Sequence, residues 1–248
     1  MKPCIYYDSA FNDGAMVISS AAAGTAGDNV TDWRPYTWWR PTALPATLTV
    51  DCGSARACDY GLVWAHDLAT QGATVEVRGS TDNFAASNVL VATSTPSSNA
   101  PVLLRFAAVS YRYWRLRITG TNMPSLAIAA IGSRFELPIG VSPDYDPTRR
   151  RVVAQTNRNA NGQPLGKVIE YTEQTNRVTI RRVSWQWLRN TFLPAWRAHL
   201  RSTPFVFAWD GSADPTNLPL VVAGDDLSTP HYPGQTADVS FDITAAVD

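Results

Sequence analysis

Short apolar runs recur through most of this chain, many read at a period of two, and they are parted by clusters of glycine, proline, serine or asparagine. That rhythm restricts the fold to a mainly β architecture. Residues 46–51 (ATLTVD) alternate, and 59–65 (DYGLVWA) form a dense apolar run. Residues 73–79 (ATVEVRG) place Val75 and Val77 on one face and Glu76 and Arg78 on the other. Residues 102–106 (VLLRF), 111–119 (YRYWRLRIT) and 126–137 (LAIAAIGSRFEL) complete the set, with Gly132 a bulge or bend. In 111–119, strict alternation puts Arg112, Trp114, Leu116 and Ile118 on one side and Tyr111, Tyr113, Arg115 and Arg117 on the other. The separators CGSARA, TQGA, TPSSNAP and TGTNMPS carry turn composition. Strands of this length and spacing predict a jelly-roll β-sandwich over 1–137.

Pro138, Pro143 and Pro147 then interrupt regular structure and mark a linker. A second block follows over 138–248. Strands are predicted at 151–156, 167–171, 177–185, 204–210, 218–222 and 236–243. One α-helix is predicted near 190–201, because Leu188, Phe192, Trp196 and His199/Leu200 fall close to one helical face. Pro194 fits if that helix starts near Thr191, since proline is tolerated in a first turn. Arg197 and Arg201 suit its C-terminal dipole. The second domain is therefore expected to be β-sandwich-like with one covering helix.

Balance of charge narrows the partners. The 248 residues carry 21 Lys or Arg and 21 Asp or Glu, so no global field favours nucleic acid or an anionic membrane. Arg149, Arg150 and Arg151, with Arg181 and Arg182, would suit a phosphate backbone only as a coherent basic patch. Residues 149–201 hold 11 Arg or Lys against 2 Glu, whereas 202–248 hold 7 Asp and no Lys or Arg. These segments either neutralise each other within one domain or pair between subunits. The start of the chain lacks the continuous apolar stretch of a secretory signal, and no run approaches a membrane span. A soluble protein made in a cytoplasm is the expectation.

Signs of a reacting centre are absent from the pattern. No GxSxG, HExxH, Walker loop or GxGxxG occurs. The three histidines, His66, His199 and His231, are scattered. Asp67 adjoins His66, but neighbours on a strand point apart. The carboxylate pairs Asp144/Asp146 and Asp225/Asp226 sit among turn residues and read as solvated loops. Three cysteines, Cys4, Cys52 and Cys58, form neither a CxxC pair nor an even set. Cys52 and Cys58 either face each other across a hairpin or act as small apolar core residues. No enzyme, metal site or cofactor is expected.

The most distinctive stretch is 29–41, NVTDWRPYTWWRP. Trp33, Arg34, Tyr36 and Trp38 are the candidate ligand-binding residues. Exposed aromatic rings stack on sugar faces while Arg and Asp supply hydrogen bonds. The same residue types make hot spots for protein partners. Trp39 is expected in the core.

Residues 29–53, NVTDWRPYTWWRPTALPATLTVDCG, resemble the opening of discoidin-like (factor V/VIII type C, galactose-binding-like) domains. The matching residues are Asp32, Thr37, Trp38/Trp39, Leu48, Val50, Asp51 and Gly53, with Cys52 in place of the usual leucine. ATVEVRGSTDNF and YRYWRLRITG continue the resemblance, which covers about 1–137. The variety it looks most like is that of tailed-phage tail proteins. RVSWQWLRNTFLPAWRAHLRSTPFVFAWD is similar to tail-tip sandwich domains. The resemblance implies a structural subunit of a phage tail tip or baseplate (a virion protein assembled in the host cytoplasm). It would contact other tail proteins and form a homo-oligomer around the tail axis. The alternative it implies is a carbohydrate-binding module that contacts a host glycan.

Overall fold

A computed structural model describes residues 2–247. The fold is mainly β, with two antiparallel sheets and one long helix. In chain order the strands are β1 (Cys4–Tyr6), β2 (Ala15–Ile18), β3 (Ala46–His66), β4 (Thr74–Ser80), β5 (Val89–Ser94), β6 (Val102–Thr119) and β7 (Leu126–Gly132). They continue with β8 (Phe135–Glu136), β9 (Arg151–Arg158), β10 (Pro164–Ser184), β11 (Phe205–Ala208), β12 (Leu220–Ser228), β13 (His231–Tyr232) and β14 (Thr236–Val247). The chain divides into two compact units. One comprises 5–135 with 213–218; the other comprises 2–4, 136–212 and 219–247.

In the first unit, strand order is β2-β3-β6-β4-β5, with β7 also paired to β3. Two predicted pairs of strands turn out to be two single strands. Residues 46–51 and 59–65 both belong to β3, and 102–106 and 111–119 both belong to β6. The CGSARA segment is therefore a bend within β3, not a hairpin. Register with β6 shifts between Asp51 and Arg56 and again between Cys58 and Tyr60. Gly53 takes φ +73 at the bend, where its N–H donates to Asp51 Oδ1 at 2.8 Å. Beyond the bend β3 pairs with β7 and the first half of β6, so one pair of long strands serves both layers of the sandwich.

Alternation then builds the core. Leu48, Val50, Val75, Val77, Trp114, Leu116 and Ile118 are wholly buried and belong to one cluster with Cys58, Val63, Val102, Ala129 and Ile131. Strict parity fails at the bend of β6. Tyr111 turns toward the core, its ring edge-on to Trp114 at 5.4 Å, while Arg112 is exposed. Cys4 and Cys58 are buried, and Cys52 is half-buried. With the bend replacing a hairpin, Cys52 and Cys58 lie along one strand. Burial pushes the Cys58 thiol up to about 12. The short stretch 213–218 joins this unit, where Trp64 Nε1 donates to Leu218 O at 3.0 Å.

The second unit has the strand order β11-β12-β14-β10-β9. Here too, predicted strands 167–171 and 177–185 are merged, in β10. The helix covers this sheet: Phe192 and Trp196 lie 5.9 and 5.2 Å from Phe241 of β14. It runs over 185–200, starting before the expected Thr191, so Pro194 lies inside it. Two π-helical turns, Leu188–Phe192 and Trp196–Leu200, flank the proline. Their wider winding accommodates a residue that lacks an N–H and crowds the preceding carbonyl. Asp225 and Asp226, expected in a loop, lie on β12 at a register irregularity between Ala223 and Leu227. Asp144 accepts from Ser142 and Arg181, and Asp146 from Thr148, so both shape the linker turn.

Candidate functional site

Residues 29–41 connect β2 to β3 as a loop tied at several points. Asp32 holds its first half: Oδ1 accepts from Arg34 N and Oδ2 from Thr37 Oγ1, both at 2.8 Å. Asn29 Nδ2 donates to Trp38 O at 2.7 Å. Trp39 is wholly buried, as expected from the sequence, and donates from Nε1 to Ser20 O at 2.9 Å. Its backbone forms a bridge with Leu126 of β7.

That framework sorts the four candidate residues. Trp33 takes φ +59, a left-handed conformation that turns its side chain inward, and it is only 3% exposed. It offers no ring face to a ligand. Arg34 is exposed, Tyr36 is 71% exposed and Trp38 is 37% exposed. The surface of the loop is thus Arg34, Tyr36 and Trp38, presented on a backbone that Asp32 and Asn29 hold still.

A second feature was not legible in the sequence. On the outer face of the β2-β3-β6-β4 sheet, mostly polar side chains stand in registered rows. Val17, Thr49, Arg115 and Arg78 form one row, and Ala15, Asp51, Tyr113 and Ser80 the next. An open groove of about 440 Å³ lies along them, with Thr47 and Asn83 also in its wall. Asp51 accepts both donors of Arg112 at 2.8 Å, and this pairing holds its carboxyl down to about 2. Glu76 Oε2 receives Arg78 Nε at 2.8 Å and Arg117 Nη1 at 3.0 Å.

One wall of the groove is a turn built by Asp82. Its carboxylate accepts from the backbone of Ala86 and Ser87, and Ser80 Oγ accepts from Phe84 N at 2.8 Å. Asn83 and Phe84 both adopt positive φ, +57 and +65. This pair of left-handed residues carries the Phe84 ring over the Arg115 guanidinium, 3.7 Å from the ring centroid. The alternation of β4 and β6 signals outward-facing charges, but nothing local in the sequence says that Phe84 caps one of them.

His66 and Asp67 serve structure. His66 Nδ1 accepts from Leu68 N, and Asp67 accepts from Ser125 N and Gln71 Nε2. Among the described residues, no group of three or more His, Cys, Asp or Glu is placed to hold a metal ion.

No protein-family model matches the sequence, and no curated protein matches it. Many solved structures are similar to about half of the chain, three of them carbohydrate-binding modules in complex with a sugar. A CBM32 module of a GH89 protein from Clostridium perfringens, in complex with GalNAc-β-1,3-galactose, is 14% identical with a TM-score of 0.42. The match covers 49% of this chain and 96% of that one. The CBM32 of AlyQ, in complex with 4,5-unsaturated mannuronic acid, is 24% identical at a TM-score of 0.39, covering 51% and 96%. Chitosan-binding module 2 of a chitosanase/glucanase from Paenibacillus sp. IK-5, in complex with chitotriose, is 21% identical at 0.40, covering 48% and 96%.

Proposed function

We propose that the first unit is a non-catalytic glycan-binding module that uses the loop at 29–41. The observation that carries this reading is the exposure of Tyr36 and Trp38 on a loop braced from within. Burying two aromatic rings at a loop tip would stabilise the fold; leaving them in water has that advantage only when a ligand arrives. A flat ring matches the apolar face of a pyranose, and Arg34 beside it donates to hydroxyls. The bracing lowers the ordering cost on binding.

The test is titration of surface polysaccharides and a glycan panel against wild type, Tyr36→Ala and Trp38→Ala, with thermal unfolding as control. Wild type binds a glycan, and each variant loses about tenfold or more in affinity while keeping its midpoint. Wild type that binds no glycan overturns the proposal.

We propose as a second reading that the chain is a structural subunit of an assembly, a phage tail tip being the one to test. The β9–β10 hairpin of the second unit exposes Leu165 (69%), Ile169 (61%), Val168 (55%) and Tyr171 (53%). Two strands with apolar side chains in water are poorly stable alone and suit burial by other chains. A ring of copies around the tail axis would provide that cover. Sedimentation of the purified chain, and electron microscopy of tails that lack it, test this role. A strict monomer together with normal tails would dismiss it.

A further inference from the structure

We propose that the sheet-face groove walled by Arg115, Thr49, Tyr113 and Asn83 is a second carbohydrate site, specific for an acidic sugar of the uronic-acid type. It shares no residue with the 29–41 loop and stands whether or not that loop binds glycan.

Charge is the first argument. Three guanidinium groups, Arg78, Arg115 and Arg117, are adjacent in register on the outer faces of β4 and β6. Glu76 is the carboxylate between them, and it is bound by Arg78 and Arg117. Asp51, on the next strand, is engaged by Arg112. Among the described residues Arg115 has no carboxylate partner. Its half-buried guanidinium, crowded by Arg117 and Arg78, is held below the usual arginine range, with desolvation the larger cause. A half-buried cation beside two others is costly unless an anion joins it.

Geometry is the second argument. Arg115 is fixed, not mobile. Nε donates to Thr49 Oγ1 at 2.8 Å, and the Phe84 ring covers the guanidinium at 3.7 Å. Both Nη groups lack a protein acceptor among the described residues, which leaves the end of the fork that a carboxylate takes in a bidentate bond. Around it, Ser19, Thr47 and Asn83 supply hydroxyl and amide groups that match sugar hydroxyls. The volume of about 440 Å³ exceeds that of one pyranose and admits one or two sugar units.

Calorimetry with a uronic-acid tetramer, a sulfated neutral-backbone tetramer and chitotetraose distinguishes the sources of negative charge. Wild type binds the uronic-acid tetramer, more weakly in high salt. Arg115→Gln loses about tenfold or more of that affinity, roughly 1.4 kcal/mol. The 29–41 loop is read separately, by the neutral-glycan affinities of Tyr36→Ala and Trp38→Ala, so failure of the loop and failure of the groove are separable. If Arg115→Gln does not fold, amide shifts of Asn83 and Tyr113 in wild type on adding the uronic-acid tetramer give the same answer. No uronate binding, binding of the sulfated series alone, unchanged affinity in folded Arg115→Gln, or no shifts at Asn83 and Tyr113 would each overturn the assignment.

Discussion

Thr37 donates from Oγ1 to Asp32 Oδ2 at 2.8 Å, and through that bond the aromatic loop is closed on itself five residues apart. The other oxygen of Asp32 takes Arg34 N, so a single carboxylate sets the backbone from which Tyr36 and Trp38 project. Asp32→Ala removes both bonds. Because the loop is partly solvated, stability is expected to fall by only about 1 kcal/mol. Glycan affinity at the loop is expected to fall further, since the rings must then be ordered on binding. Calorimetry compared with denaturant midpoints checks whether affinity falls out of proportion to stability.

Gly61 of β3 sits where a Cβ would lie 2.5 Å from Val77 Cγ2. There is no room for it without displacing the opposite layer. Gly61→Ala is expected to destabilise the first unit by about 1–3 kcal/mol. Adding Val77→Ala should restore part of that loss, because the two positions share one contact. Urea unfolding of both single variants and the double variant gives the coupling directly.

His66 is 5% exposed, and burial lowers its pKa below the ordinary 6.5. The unfolded chain therefore takes up a proton at a pH where the folded chain still refuses it. Stability from the neutral ring is complete above about pH 6.5 and declines as pH falls toward the folded value, then levels off. The depressed carboxyl of Asp51, at about 2, acts in a lower window and does not mask this. His66→Asn, whose amide oxygen replaces Nδ1 as acceptor for Leu68 N, should flatten the decline between pH 7 and 5. Denaturant midpoints measured across that range check it.

Cys58 is wholly buried, with its thiol pushed up to about 12 by burial. At pH 8 it holds very little thiolate, and thiolate is the reactive form. Labelling of the native chain with a thiol reagent should mark Cys52 first and reach Cys58 only on unfolding. Peptide mapping by mass spectrometry reads the order. Fast native labelling of Cys58 would contradict the buried assignment.

Much of this molecule is readable from side-chain pattern alone. Alternation in 46–51 and 73–79 identifies the inward residues, and Trp39 is expected in the core from the sequence. Pattern is local, so it carries the facing of each residue but not the continuity of a strand through a bend. The CGSARA segment has turn composition, yet Gly53 turns within β3 and the strand continues to His66. Parity fails at Tyr111 and Arg112 for the same reason, because β6 bends there and two successive residues change faces. Pro194 marks a helix start locally, but packing of Phe192 and Trp196 against Phe241 keeps the helix whole on both sides of it.

Composition and periodicity determined by themselves that this chain would be mainly β, with a covering helix and an aromatic loop ahead of the strand at 46–51. Only tertiary structure decided which aromatics of that loop reach water, since a single left-handed residue turns Trp33 inward while Tyr36 stays out. Only tertiary structure brought Phe84, Arg115 and Thr49 together from three segments. Strand register, which depends on long-range pairing energies and not on local preference, sets those rows side by side.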